Sequence, residues 1–184
     1  MLPKLIADAG VPMLFWQMPI MALAIVPIIV VESFVVWRKL QMPVASVLLG
    51  TTLANIISTF VGIPMAWAMM VLLNIASGSL PFWNLNSPIG IFEAVVLQSS
   101  WLVPHSNSQL CWMVPTATLV LLIPYFFASV LSEGWVLRHL WRMEDKRLVR
   151  AANWQANLAS YIGLALVTGA WLWMSIAGNA VIRQ

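Results

Sequence analysis

Long apolar runs separated by short polar turns set the plan of the chain. Four stretches, roughly residues 12–36, 43–75, 112–137 and 148–178, each reach the roughly 20 mainly apolar residues a bilayer-spanning helix needs. The second and fourth are long enough to tilt, kink or project beyond the hydrocarbon. Pro27, Pro64 and Pro124 offer bends inside the first three, because proline removes one backbone hydrogen bond. Pro43 suits the opening turn of the second helix, where its missing N–H costs nothing.

Between the second and third stretches lies a connection over residues 76–111, rich in Gly, Ser, Pro and Asn at both ends. Its middle, Pro88 to Val103, is apolar but too short to span comfortably. Ser87 reads as an N-cap with Pro88 at the first helical position. Ile89, Phe92, Val96 and Val103 fall on one helical face, with Glu93 and Gln98 elsewhere. This predicts an interfacial or re-entrant helix, with a fifth full span as the rival. The division expected is a first hairpin over 1–75, an outward connection over 76–111 and a second hairpin over 112–184.

Composition agrees with this pattern. The chain is 61% hydrophobic and 8% charged, whereas soluble domains carry about a quarter charged residues. A soluble core of this size cannot hide that much apolar side chain, so the lipid bilayer is the expected first partner. The apolar run from Val11 to Val31 exceeds the roughly 7–15 residues of a signal h-region and continues into Glu32, Arg38 and Lys39. It is therefore expected to be retained as the first span.

Charge placement predicts orientation. Arg38 and Lys39 occupy the first short turn, and Arg138, Arg142, Lys146, Arg147 and Arg150 the second, leaving Lys4 and Arg183 at the other side. The positive-inside rule then puts both short turns in the cytoplasm and both termini outside. Trp37, Trp135, Trp141 and Trp154 would mark the inner interface, and Trp83, Trp101, Trp112, Trp171 and Trp173 the outer one. No basic face is dense enough to track nucleic-acid phosphates. The run from Arg138 to Arg150 reads as a topology signal, with contact to anionic headgroups as an option.

A faint repeat runs through the chain. Ala54-Asn55-Ile56-Ile57-Ser58 is echoed by Ala156-Asn157-Leu158-Ala159-Ser160, and Gly62 and Gly163 follow. Upstream, Glu32 and Glu133 precede the two basic turns. The reading is all-α: four transmembrane helices forming two hairpins of the same orientation, a parallel repeat. Glu to Asn is 23 residues in one copy and 24 in the other, so a midway bend brings each Glu beside its Asn. A protonated glutamate, or one with a basic residue nearby, can then bond the amide across its hairpin. Ala54, Ser58 and Gly62 form a small-residue stripe, and Ala159 and Gly163 are expected to do the same in the second copy.

An ionisable group within a span is a functional candidate. The intramembrane polar candidates are Glu32, Asn55, Ser58, Glu133, Asn157 and Ser160. Glu32 and Glu133 are expected near a helix end, paired with Arg38, Lys39 or Arg138; a proton or cation path is the alternative. His105, Cys111 and Met113 are soft ligands scattered over nine positions, too loose for a copper site, and His139 has no partner for haem. No phosphate loop, nucleophile elbow or carboxylate pair for hydrolysis appears. No enzymatic activity, metal or cofactor is expected.

The stretch from Val26 through Pro27 and Glu32 to Val36, followed by Ala54-Asn55-Ile56-Ile57-Ser58 and Gly62, resembles the filament-integrity (FraC-type) membrane proteins of filamentous cyanobacteria. Those carry an Ile-Pro-Ile-Glu-like stretch and then an Asn-x-x-Ser helix. Here Pro27 and Glu32 are five apart, wider than the family's spacing. The resemblance implies a structural protein of the inner membrane at cell–cell junctions. The function expected is a non-catalytic subunit or scaffold working with other membrane-protein subunits in the bacterial inner membrane. The alternative is a small transporter or channel lined by Glu32, Asn55, Glu133 and Asn157.

Overall fold

The computed structural model describes residues 11–76 and 107–182, with Ser87, Pro88, Gly90 and Val95 between them. Four long helices account for nearly all of it: α1 (Val11–Leu40), α2 (Val44–Ala76), α3 (Asn107–Leu140) and α4 (Lys146–Ile182). Their ends fall within a few residues of the apolar runs, and α1, α2 and α3 stay helical through Pro27, Pro64 and Pro124. Three segments, Val44–Met65, Trp112–Leu140 and Lys146–Gly178, are long and apolar enough to cross a membrane.

The turns follow local chemistry. Gln41 takes a positive φ of 54°, a left-handed conformation of the kind that ends helices. Its backbone N–H reaches Trp37 O at 2.9 Å and its side-chain amide donates to Arg38 O at 2.9 Å, so two of the last four carbonyls of α1 are satisfied. Asp145 caps α4, its Oδ1 accepting from Arg147 N at 2.8 Å. In the connection, Ser87 Oγ accepts from Gly90 N at 3.0 Å, the N-cap expected with Pro88 behind it. Ile89, Phe92, Glu93, Val96, Gln98 and Val103 lie outside the described residues.

Contacts group the chain into two compact units. One comprises residues 1–17, 66–122 and 165–184; the other comprises 18–65 and 123–164. In the first, Met113 and Val95 are buried together, with Trp112 and Val120 packed against them. Met113 is therefore a core residue there, and His105 and the Cys111 side chain are outside the described set.

The 18–65/123–164 unit is inverted relative to a water-soluble domain. Its buried face carries Glu32, Thr51, Asn55, Ser58, Glu133, Asn153, Asn157 and Ser160, while Phe60 is 76% and Leu131 68% exposed. Apolar exterior and polar interior suit a protein whose solvent is hydrocarbon. An apolar core closes it: Val36, Val47, Ala54, Val136, Leu137, Trp141, Val149, Ala152 and Ala156.

The buried faces of α2 and α4 correspond at a fixed offset of 102. Val47, Gly50, Thr51, Ala54, Asn55 and Ser58 answer to Val149, Ala152, Asn153, Ala156, Asn157 and Ser160, all buried. This corrects two expectations. The second small-residue stripe is Ala152-Ala156-Ser160, not Ala159 and Gly163: Ala159 is half-buried and a Cβ on Gly163 meets nothing within 4 Å. Gly163 is one position out of register with Gly62, and one residue turns a helix by about 100°. Trp141, expected at the interface, is instead buried against Gly50, whereas Trp37, Trp135 and Trp154 are exposed.

That contact yields a prediction. A Cβ on Gly50 would overlap the Trp141 indole. Gly50→Ala is expected to destabilise the protein by about 1–3 kcal/mol, the usual cost of overpacking. Thermal unfolding in detergent measures it, and Trp141→Phe in the Gly50→Ala background should recover part of the loss.

Candidate functional site

All six polar candidates meet within the 18–65/123–164 unit. In α2 the spacing Asn-x-x-Ser puts Asn55 and Ser58 nearly one turn apart on one helix face, and in α4 it does the same for Asn157 and Ser160. Glu32 projects from α1 and Glu133 from α3, each 2% exposed.

The bonding is reciprocal. Asn55 Nδ2 donates to Glu32 Oε2 at 2.7 Å, and Asn157 Nδ2 to Glu133 Oε2 at 2.7 Å. Each asparagine thus serves the glutamate of its own hairpin. Each serine serves the other: Ser58 Oγ donates to Glu133 Oε1 at 2.9 Å, and Ser160 Oγ to Glu32 Oε1 at 2.6 Å. Every carboxyl oxygen has a donor, and the two carboxyls are close enough to interact with one another. The arrangement is a four-helix clasp. It is held by amide and hydroxyl donors that are themselves fixed to backbone, since Asn55 Nδ2 also reaches Thr51 O at 3.0 Å and Asn157 Nδ2 reaches Asn153 O at 3.2 Å.

The expected pairing of Glu32 and Glu133 with basic residues is not found. Arg138 Nε donates to Gly134 O at 2.8 Å, and the Arg38 guanidinium lies over the Phe34 ring at 5.9 Å. Carboxyls this buried take up donors at their own depth, and the amides and hydroxyls stand there while the arginines lie toward the turns.

A second tier was not anticipated from sequence. Thr51 and Asn153, one turn before the two asparagines, tie each hairpin together. Thr51 Oγ1 pairs with Ser33 Oγ at 2.5 Å, and Asn153 Nδ2 donates to Val130 O at 3.0 Å. The same offset of 102 that relates the asparagines relates these two, which is the signal that would have found them. Tyr161 Oη pairs with Ser129 Oγ at 3.0 Å, and Phe126 stacks edge-on against Tyr161 and Trp154. Tyr125 packs on Gly62, and its hydroxyl and Asn157 Oδ1 have no hydrogen-bond partner among the described residues.

Among the described residues no group of three or more His, Cys, Asp or Glu side chains converges as a metal site. His139 is exposed, its Nδ1 2.8 Å from Trp135 O and its ring against the Trp135 indole. Comparison with protein-family models, curated proteins and solved structures finds no match.

Proposed function

We propose that the chain is a non-catalytic integral membrane subunit or scaffold, built as four spans in two hairpins of the same orientation. The observation that carries this is the closed clasp. All four carboxyl oxygens of Glu32 and Glu133 are occupied by donors from the chain itself. A group held this way fixes how helices pack, and buried polar contacts of this kind are associated with specificity of association. The apolar side chains exposed around it are available to lipid or to other spans. Purified in mild detergent, the protein is expected to bring down a membrane-protein partner at fixed stoichiometry by native mass spectrometry. A stable homo-oligomer with no partner would count against the reading.

Orientation in a bacterial inner membrane, with both short turns cytoplasmic, is part of the proposal. Gln41→Cys and Asp145→Cys, each in a Cys111→Ser background, are expected to resist an impermeant thiol reagent in intact cells. Asn107→Cys is expected to react. Labelling at position 41 or 145 reverses the orientation.

One observation favours a second reading, a small transporter or channel: two buried carboxyls whose donors are all uncharged. Flux in proteoliposomes decides. Under the scaffold reading the parent carries no ion current above empty vesicles. Robust proton or cation flux, lost in both Glu32→Gln and Glu133→Gln, would establish the transporter instead.

A further inference from the structure

The end of the 18–65/123–164 unit that carries both turns is strongly cationic. Leu40 at the end of α1 and Met42 in the first turn pack against the apolar core that includes Trp141 of the second turn and Val149 of α4, so the two turns border one rim. Arg38 and Lys39 close α1, Arg138 closes α3, Arg142 stands in the second turn, and Lys146, Arg147 and Arg150 open α4. Against seven cations stand Glu144 and Asp145, a balance of +5 on the rim in a chain whose total is +3. Asp145 is already engaged as the cap of α4. Six of the seven cations are exposed, and Arg138 is half-buried.

Two features go beyond what topology requires. Lys146, Arg147 and Arg150 sit in the first two turns of α4, and no acidic residue stands in its first turn. The helix macrodipole is positive there, so these cations are placed where a helix least favours them. Apolar side chains are also interleaved with the charges: Met143 is 97%, Leu140 47% and Leu148 42% exposed. The positive-inside rule asks for basic residues in short loops and near the ends of spans, without regard to the helix dipole and without calling for apolar side chains among them.

We propose that this rim binds the phosphate headgroups of anionic phospholipids. Arginine and lysine supply the charge-assisted bonds that phosphate oxygens accept. Met143, Leu140 and Leu148 reach the boundary between headgroup and acyl chain, as apolar residues of interfacial segments do. A partner offering acidic groups alone would satisfy the cations and leave Met143 without an apolar neighbour, whereas an anionic lipid supplies both phosphate and acyl chain. The interleaving therefore selects lipid.

The test uses the full chain in nanodiscs of phosphatidylcholine containing phosphatidylglycerol, with the lipid held by the protein quantified after mild delipidation. Phosphatidylglycerol is expected to be enriched several-fold over its bulk share at low salt, and the enrichment to fall as salt rises. Each basic residue beside an anionic leaflet weighs roughly five-fold in association. Replacing Arg142, Lys146, Arg147 and Arg150 by Gln is therefore expected to bring the enrichment close to one, with helix content unchanged. Met143→Ser is expected to reduce it partially. Equal uptake of both lipids by the parent, or enrichment indifferent to salt, overturns the proposal without need of any variant. Competition by a soluble acidic peptide as effective as lipid, with Met143→Ser having no effect, assigns the rim to a soluble partner and overturns it equally.

Discussion

Replacing both clasp asparagines, Asn55→Leu together with Asn157→Leu, is expected to cost about 3 kcal/mol of stability. Hydrogen bonds between membrane helices average about 0.6 kcal/mol and reach about 1.7. The average is low because the separated helices find other partners. Here each asparagine donates at 2.7 Å to a carboxyl that is 2% exposed and whose other oxygen is held by a serine. The upper figure is therefore the relevant one at both sites. The two losses should not be independent of the serines. Asn55→Leu and Ser160→Ala remove donors from the same carboxyl of Glu32, and a double-mutant cycle should show a coupling of about 0.5 kcal/mol or more. Reversible unfolding in bicelles measures both quantities. A double asparagine variant within about 1 kcal/mol of the parent would mean that the clasp does not hold the hairpins together.

The second large effect is steric. Ala156→Leu is expected to destabilise by about 3 kcal/mol, the upper part of the usual range for overpacking, because Ala156 is 1% exposed in the apolar core. Ala54→Leu should behave alike, since Ala54 is fully buried in the same core. Gly163→Leu, three residues beyond Ser160, is expected to leave the unfolding transition where it was, because nothing lies within 4 Å of its missing Cβ. The contrast separates the small-residue face that packs from one that merely looks similar. Equal damage at positions 156 and 163 would place the packing face of α4 elsewhere.

These residues also show what was legible in sequence. Among the described residues the four long helices and their approximate extents were, because a long unbroken apolar run is a signal that needs no partner. The Glu–Asn pairs were legible too, since their separations of 23 and 24 fold symmetrically about a turn. The exchange of serines was not. Ser58 and Glu133 are 75 residues apart and Ser160 and Glu32 are 128 apart, with no local rule linking them. Trp141 was misread for the same reason: a tryptophan beside a basic turn normally anchors at the interface, and only the distant Gly50 makes room to bury it. The stripe in α4 failed differently. Ala156 and Ala159 are both small, and glycine drew attention to the wrong one, although Ala54 and Ala156 already stood at the repeat's offset.

The exchange of serines sets a waiting time during synthesis. Glu32 meets its asparagine as soon as α2 is made, but its serine lies 128 residues further along the chain. Ser160 is 105 residues beyond Asn55, and at about 5–20 residues per second translation takes roughly 5–21 s to cover that distance. For that interval the first hairpin has one carboxyl oxygen lacking its donor, and Ser58 has no acceptor but its own helix. Neither hairpin is a finished product, and release of a chain broken before Ser160 leaves a buried acid half-satisfied.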